Sequence, residues 1–383
     1  MEAAVKKPGR IDFALICSDV PAAVAAVFTT NKVKAAPVLL SMERVKSGYA
    51  RAVVVNSGNA NACTGVQGMT DALETCRAVA GLLNCHEDSV LVASTGVIGQ
   101  PLPMERLRKA IPGLVHNLSR GGLPEIAGAI MTTDTFPKME TRVGKAGGKE
   151  YSIAGVAKGA GMIMPNMATM LSFIITDAAV DPLFLQDVFS RSVDTSFNCI
   201  SVDGDTSTND TALIMANGLA GNPDIRPATA EAEAFEMLLR DVLLGLARQI
   251  IKDGEGATKF VEIEVTGAVS DGDAKKAAMA IANSLLVKTA FFGQDANWGR
   301  ILAAAGYSGA EIDMNRTALF FDDVQMVRDG IFAGGDADAR GTEVLKKNEF
   351  SVTVDLGVGT GKATVYTNDL SYDYVKINAD YRT

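Results

Sequence analysis

Residues 158–176 read Lys-Gly-Ala-Gly-Met-Ile-Met-Pro-Asn-Met-Ala-Thr-Met-Leu-Ser-Phe-Ile-Ile-Thr. A loop rich in glycine and methionine, 158–168, runs straight into an apolar, strand-like stretch that begins at Thr169. A threonine at the exit of such a loop can attack the carbonyl carbon of the residue before it, here Ala168. That step cuts the chain and leaves Thr169 with both a hydroxyl and a free α-amine, which can act as base for its own hydroxyl. The chain has two histidines, His86 in a polar turn and His116 late in a helical pattern, and both read as surface residues. A Ser-His-Asp or Cys-His mechanism therefore lacks a well-placed imidazole. An α-amine, with an ordinary pKa of about 8, needs none.

Five other segments set polar groups and glycines at the ends of strands or helices. Asn56-Ser57-Gly58-Asn59-Ala60-Asn61 can line a cleft, and a capped turn explains it equally well. In Ser94-Thr95-Gly96-Val97-Ile98-Gly99 the Thr95 hydroxyl and the Gly96 N–H can face a developing oxyanion, although alone the segment reads as a plain turn. Thr132-Thr133-Asp134-Thr135 offers hydroxyls to a ligand carboxylate or to a helix end. The acidic loop Asp203–Asp210 lacks the closing glutamate of a calcium loop, so we read it as a hydrogen-bonded turn beside the active site, with a structural ion as the alternative. Glu255, flanked by Gly254 and Gly256, is a loop carboxylate that can meet a ligand ammonium or simply face water.

These loops need a scaffold. Apolar strand patterns occupy Asp12–Cys17, Val24–Thr29, Ala52–Asn56, Ser89–Ala93 and Thr169–Thr176, and helical periodicity covers Met69–Leu83, Met104–Leu118 and Leu123–Met131. A helix is expected after Asp181-Pro182, and the longest runs from Thr229 to Lys252, stopping at Asp253-Gly254 with Gly254 as a left-handed cap. Phe260–Thr266 then reads as a strand, Asp271–Leu286 as a helix, and Thr317–Phe321, Phe350–Leu356 and Lys362–Tyr366 as strands. The result is an α/β chain with a change of lobe between 254 and 290.

At 383 residues, 48% hydrophobic and 21% charged, the chain is expected to bury a large core in two lobes. Its net charge of −9 and dispersed lysines and arginines argue against nucleic acid. No apolar run reaches the ~18 residues of a membrane span, and the first residues lack a signal-peptide core, so the cytoplasm is the expected compartment. Five cysteines without a Cys-x-x-Cys spacing are expected to be buried thiols, with no metal site.

Lys158–Thr176 with its Pro-Asn-Met-Ala-Thr-Met-Leu, Asn56–Gly65, Asp203–Thr211, Asp253–Lys259, Gly-Gln-Asp-Ala-Asn-Trp-Gly-Arg at 293–300 and Asn378–Thr383 together resemble the ornithine acetyltransferase family, in order and over nearly the whole chain. Its members usually carry a longer segment, with a Gly-Phe pair, ahead of the Lys-Lys-Pro-Gly-Arg at 6–10. The resemblance implies a self-cleaving threonine-nucleophile fold of the ornithine acetyltransferase and DmpA aminopeptidase type, with layered sheets flanked by helices and a smaller C-terminal α+β lobe. It implies cleavage between Ala168 and Thr169 into an α chain 1–168 and a β chain 169–383, associated as an α2β2 heterotetramer.

Carried over by motif, Thr169 resembles the nucleophile, Thr95 and Gly96 the oxyanion hole, and Thr132, Lys158, Thr169, Glu255, Asn378 and Thr383 the substrate-binding set. The implied reaction moves acetyl from N2-acetyl-L-ornithine to L-glutamate without a cofactor. The residues leave open whether acetyl-CoA is a second acetyl donor, and whether water replaces glutamate as the acceptor in an aminopeptidase or amidase.

Overall fold

The first half of the chain alternates short apolar runs with helical periodicity, and these form strands and helices in the expected order. The computed structural model describes residues 1–6, 8–164 and 170–380. Along the chain they form β1 (Phe13–Phe28), α1 (Ala36–Arg44), β2 (Tyr49–Asn59), α2 (Gly65–Leu83), β3 (Val90–Val97), α3 (Met104–His116), α4 (Leu123–Ala129), β4 (Lys138–Ala146), β5 (Lys149–Lys158), β6 (Leu171–Thr176), α5 (Pro182–Asp194), β7 (Ile200–Ser201), β8 (Thr211–Ala216) and α6 (Ala230–Lys252). There follow β9 (Phe260–Ala268), α7 (Asp271–Asn283), α8 (Leu285–Phe292), α9 (Trp298–Gly306), β10 (Ala318–Phe321), β11 (Val324–Arg328), β12 (Ile331–Phe332), α10 (Ala337–Leu345), β13 (Glu349–Asp355), β14 (Gly361–Asn368) and α11 (Tyr372–Asp380).

The chain divides into two compact units. Among the described residues the first comprises Met1–Asn198 and Asp205–Ile250, the second Cys199–Gly204 and residues 251–380. In the first, a mixed sheet runs β3-β2-β1-β8-β6-β5-β4. Alternation in β1 sends Phe13 and Leu15 to one face, against Cys76 and Val79 of α2 and Leu107, Ile111 and Leu114 of α3. Ala14, Ile16 and Val24 join Phe173, Leu213 and Ile130 in a separate cluster. The second unit has its own mixed sheet, β12-β11-β10-β13-β9-β14-β7, whose core is shared with α7, α9 and α10.

Four local expectations are corrected. The strands expected at Asp12–Cys17 and Val24–Thr29 are one strand, bent where its register shifts between Cys17 and Ala22. Pro21, with no N–H for the ladder, falls inside that shift. The helix expected over Asp271–Leu286 stops at Asn283, because Ser284 leaves the helical conformation and its hydroxyl caps α8 by accepting from Val287 N–H. Gly254 is not left-handed, whereas Gly256 is (φ +69°). A Cβ on Gly254 would lie 1.9 Å from Asn368 Nδ2, so packing and not handedness demands that glycine. Of the five cysteines only Cys76 and Cys199 are buried; Cys63 is exposed, and Cys17 and Cys85 are half-buried.

The cap of α5 follows its sequence: Asp181 Oδ1 accepts from the N–H groups of Leu183 and Phe184 at 3.0 Å, with Pro182 leading the helix. Among the described residues no helix is long and apolar enough to cross a membrane, and no three His, Cys, Asp or Glu side chains gather as a metal site.

Candidate active site

Lys158 is the last residue of β5 and pairs across the sheet with Leu171, the first of β6. Ala168 and Thr169, which precede β6 in the sequence, lie outside the described residues, as does Thr383. Around Lys158 lies a set of buried charges. The side chains of Asp134 and Lys138 are fully buried and those of Lys158 nearly so. Asp134 Oδ1 accepts from Lys138 Nζ (2.8 Å) and Gly159 N–H (2.7 Å), and Oδ2 accepts from Thr132 N–H (2.9 Å) with Lys158 Nζ at 4.0 Å. Burial by itself would raise this carboxyl. The Lys158 and Lys138 charges and the Thr132 N–H outweigh it and hold Asp134 well below the usual carboxylate range. Thr132 and Lys158 are thus brought to one carboxylate. From the other side, Arg10 donates to the carbonyls of Thr132 (3.2 Å) and Met131 (2.7 Å).

Met170, next after Thr169, is held at both of its peptide groups. Its N–H donates to Asp210 Oδ1 at 2.8 Å, and its carbonyl accepts from Thr211 N–H at 3.1 Å. Asp210 Oδ2 is buried with no hydrogen-bond partner among the described residues. Burial raises this carboxyl well above its ordinary value, against the Met170 N–H and the Lys158 charge.

Thr95 and Gly96 sit near the end of β3, beside Ser57 and Gly58 of β2. Gly96 has φ +135°, and a Cβ there would lie 2.3 Å from the Gly58 carbonyl carbon and 2.4 Å from Asn59 N. Only glycine fits. The Thr95 hydroxyl has no hydrogen-bond partner among the described residues. The surrounding amides, by contrast, are spent on the scaffold. Asn56 Nδ2 donates to Asn59 O (2.8 Å), Asn59 Nδ2 to Pro101 O (3.0 Å), and Asn209 Nδ2 to Ala60 O (2.6 Å) and Ser94 O (2.9 Å). Asn56–Asn59 is not a capped turn but the end of β2, paired with β3, and α2 follows Thr64 without a side-chain cap.

In the second unit Glu255 and Asn378 meet, with Asn378 Nδ2 donating to Glu255 Oε2 at 2.8 Å. Asp203, at the head of the acidic loop, accepts from the Tyr374 hydroxyl at 3.2 Å.

A cavity of about 750 Å³ in the first unit, lined among others by Phe13, Leu15, Leu114, Leu118 and Ile126, includes none of Thr95, Gly96, Thr132 or Lys158. It lies along the part of β1 before Ala23, which has no β8 partner.

Reading the sequence alone missed Lys138, the structural roles of Asp134 and Asp210, and Lys288. Asp210, ahead of Thr211–Ala216, and Lys288, within Leu285–Phe292, carry a faint signal, a charged residue beside or inside an apolar run.

The ArgJ family model matches residues 1–383. The arginine biosynthesis bifunctional protein ArgJ of Geobacter sulfurreducens is 70% identical over all of this chain and 98% of its own length, and that of Syntrophotalea carbinolica is 56% identical over all of this chain and 97% of its own. The crystal structure of arginine biosynthesis bifunctional protein ArgJ from Bacillus halodurans is matched over its whole solved chain by 56% of this one, with 43% identity and a TM-score of 0.54. Nothing in these relatives supports the rival in which water takes the acyl group. A full-length family match, relatives this similar and a site whose glycine, lysine and carboxylate positions are fixed by packing all agree: the chain belongs to the ArgJ family.

Proposed function

We propose that the chain cuts itself between Ala168 and Thr169 and then moves an acetyl group from N2-acetyl-L-ornithine to L-glutamate through an acetyl-Thr169 ester. The observation that supports this is the pairing of Lys158 with Leu171 and the double grip on Met170, a buried ammonium and an anchored peptide at the start of β6, one residue after Thr169 in the sequence. The solved Bacillus halodurans chain lends support: 56% of this chain matches all of it, and residues 169–383 are that fraction of the length.

In the first step Thr169 Oγ attacks the Ala168 carbonyl carbon, and the C–N bond breaks as its nitrogen takes a proton. That bond's break frees the α-amine, and water then hydrolyses the resulting ester, which returns the Thr169 hydroxyl and leaves Ala168 with a carboxylate. That amine, with an ordinary pKa of about 8, accepts the hydroxyl proton when Oγ attacks the acetyl carbonyl. The Thr95 hydroxyl and Gly96 N–H stabilise the oxyanion, an effect of ~3–4 kcal/mol per donor in comparable sites. Ornithine leaves, and the glutamate amine takes the acetyl group from Thr169.

Both substrates carry an α-carboxylate, which suits Lys158 with Thr132 beside it. Glu255, with Asn378 at its flank, suits the side-chain ammonium of ornithine. Thr383 completes the proposed binding set, and an α2β2 association of the cut chains in the cytoplasm completes the reading. Acetyl-CoA enters as a second acetyl donor, since a threonine ester forms from a thioester by the same attack.

Thr169→Ala tests the reading. Intact mass is expected to show one 40.2 kDa chain without transferase activity, where the native protein shows two chains. A Thr169→Ala protein that still splits in two refutes the assignment.

A further inference from the structure

Glu255 sits on a loop, yet that loop is gripped along its length by a single segment of the same unit, 368–378. At Gly254, the Asn368 amide nitrogen occupies the space a Cβ would need. At Gly256, Ser371 Oγ donates to the carbonyl at 2.6 Å, and a Cβ would lie 2.5 Å from Tyr374 N. Asp369 accepts from Thr258 N–H (2.8 Å), the Thr258 hydroxyl (2.6 Å) and Lys259 N–H (2.8 Å). Asn378 reaches Glu255 itself.

That gripping segment is in turn held by one buried side chain. Lys288 of α8 donates from Nζ to Thr367 Oγ1 (2.9 Å), Asn368 Oδ1 (2.7 Å) and the Asn368 carbonyl, and its own carbonyl accepts from Leu370 N–H at 3.2 Å. Three acceptors meet the three protons of an ammonium. The bond to Oδ1 also fixes which way the Asn368 amide faces: oxygen to Lys288, nitrogen to Gly254, where it is buried without a partner among the described residues. A buried amine and an unpaired buried amide are both costly, and neither contributes to the core. Their arrangement makes sense as a device that sets the Asn368 plane against Gly254.

We infer that Lys288 is a positioning residue for Glu255: by fixing Thr367–Leu370 it sets the segment that clamps Asp253–Lys259, and so places the carboxylate that meets the substrate's side-chain ammonium. This rests on the proposed role of Glu255. It predicts an asymmetry between the two substrates that general damage to the fold does not produce, because N-acetylornithine carries that ammonium and the glutamate side chain does not.

The test uses the full-length enzyme with Lys288→Met, Glu255→Gln and the double variant. Self-cleavage, read by intact mass, reports that the protein has folded and that Thr169 is competent. Lys288→Met is expected to cut itself, to raise KM for N-acetylornithine by about tenfold or more, and to change KM for glutamate and kcat far less. The double variant is expected to be no worse than Glu255→Gln alone. If Glu255→Gln raises KM but the Lys288→Met effect multiplies with it, or falls equally on both substrates, the inference is wrong while the role of Glu255 stands. If Glu255→Gln leaves KM for N-acetylornithine unchanged, the role of Glu255 falls and the inference with it. Should Lys288→Met give no folded protein, Asn368→Ala removes the same link to Gly254 and is expected to show the same substrate asymmetry; equal KM values to wild type there overturn the inference.

Discussion

Lys138 and Lys288 are both fully buried, and the protein compensates them in opposite ways. Lys138, in the first unit, has a carboxylate: Asp134 Oδ1 at 2.8 Å, with Lys158 on the other oxygen's side. Lys288, in the second, has among the described residues only neutral oxygens at hydrogen-bond distance, from Thr367 and Asn368, with the Asp369 and Asp203 charges acting from further away. Counter-charge locks an ion pair in its charged form. Neutral acceptors orient an ammonium but leave its protonation to the balance between burial and distant charge. The first arrangement suits a site that must present a permanent cation to a carboxylate. The second suits a strut whose work is geometric.

The largest expected effect comes from removing the counter-charge. Asp134→Asn keeps the volume but removes the carboxylate that Lys138 bonds and Lys158 approaches, a loss of roughly 3–5 kcal/mol for a broken buried pair. Thermal melting is the measurement, with a much lower midpoint or insoluble, uncut protein expected. A variant that melts with the wild type breaks the contrast, since the neutral neighbours of Lys138 would then suffice.

That contrast also marks what was legible in the sequence. Helices α2, α3 and α5 follow from periodicity and the Asp181-Pro182 start, because they depend on neighbours three and four residues away. The glycines around Glu255 were visible, but the reason for Gly254 lay in Asn368, more than a hundred positions on. The β4–β5 hairpin was visible only as its Gly-rich turn, since β4 alternates charged residues with only partial burial and carries little apolar signal. Among site residues, Thr95, Gly96, Thr132, Lys158, Glu255 and Asn378 were named from motif. The structure brings Thr132 and Lys158 to one carboxylate, and Glu255 to Asn378. The structural roles of Asp134 and Lys138 stayed silent because a buried charge is defined by its surroundings, and surroundings are not local in sequence.

A smaller effect follows from how Lys288 titrates. Burial lowers its pKa from 10.5 to about 7, with Asp369 and Asp203 acting in the opposite direction. As pH falls below 10.5 the unfolded chain takes up this proton, whereas the folded chain waits until about 7. Stability from this group is therefore lost as pH drops through that window and is level below it. The melting midpoint of the wild type relative to Lys288→Met is expected to rise between pH 7 and pH 10, and parallel curves would show that the neutral acceptors hold the ammonium as firmly as a carboxylate does.

The smallest effect is expected at Asp210, which sets a third regime against the other two. Here no counter-charge among the described residues pairs with the carboxyl, and burial pushes it toward its neutral form. An amide closely mimics a neutral carboxyl: the oxygen of Asp210→Asn can still accept from Met170 N–H, and the NH2 takes the place of the O–H. The same Asp→Asn change that is expected to unfold the protein at position 134 should therefore cost little at 210, within about 1 kcal/mol of wild type. Melting and the extent of self-cleavage measure it together. A loss of stability as large as at Asp134 would mean that Asp210 is charged and paired in the folded protein. A stable but uncut variant would mean that the proton on this carboxyl, held one peptide away from Thr169, takes part in the cut.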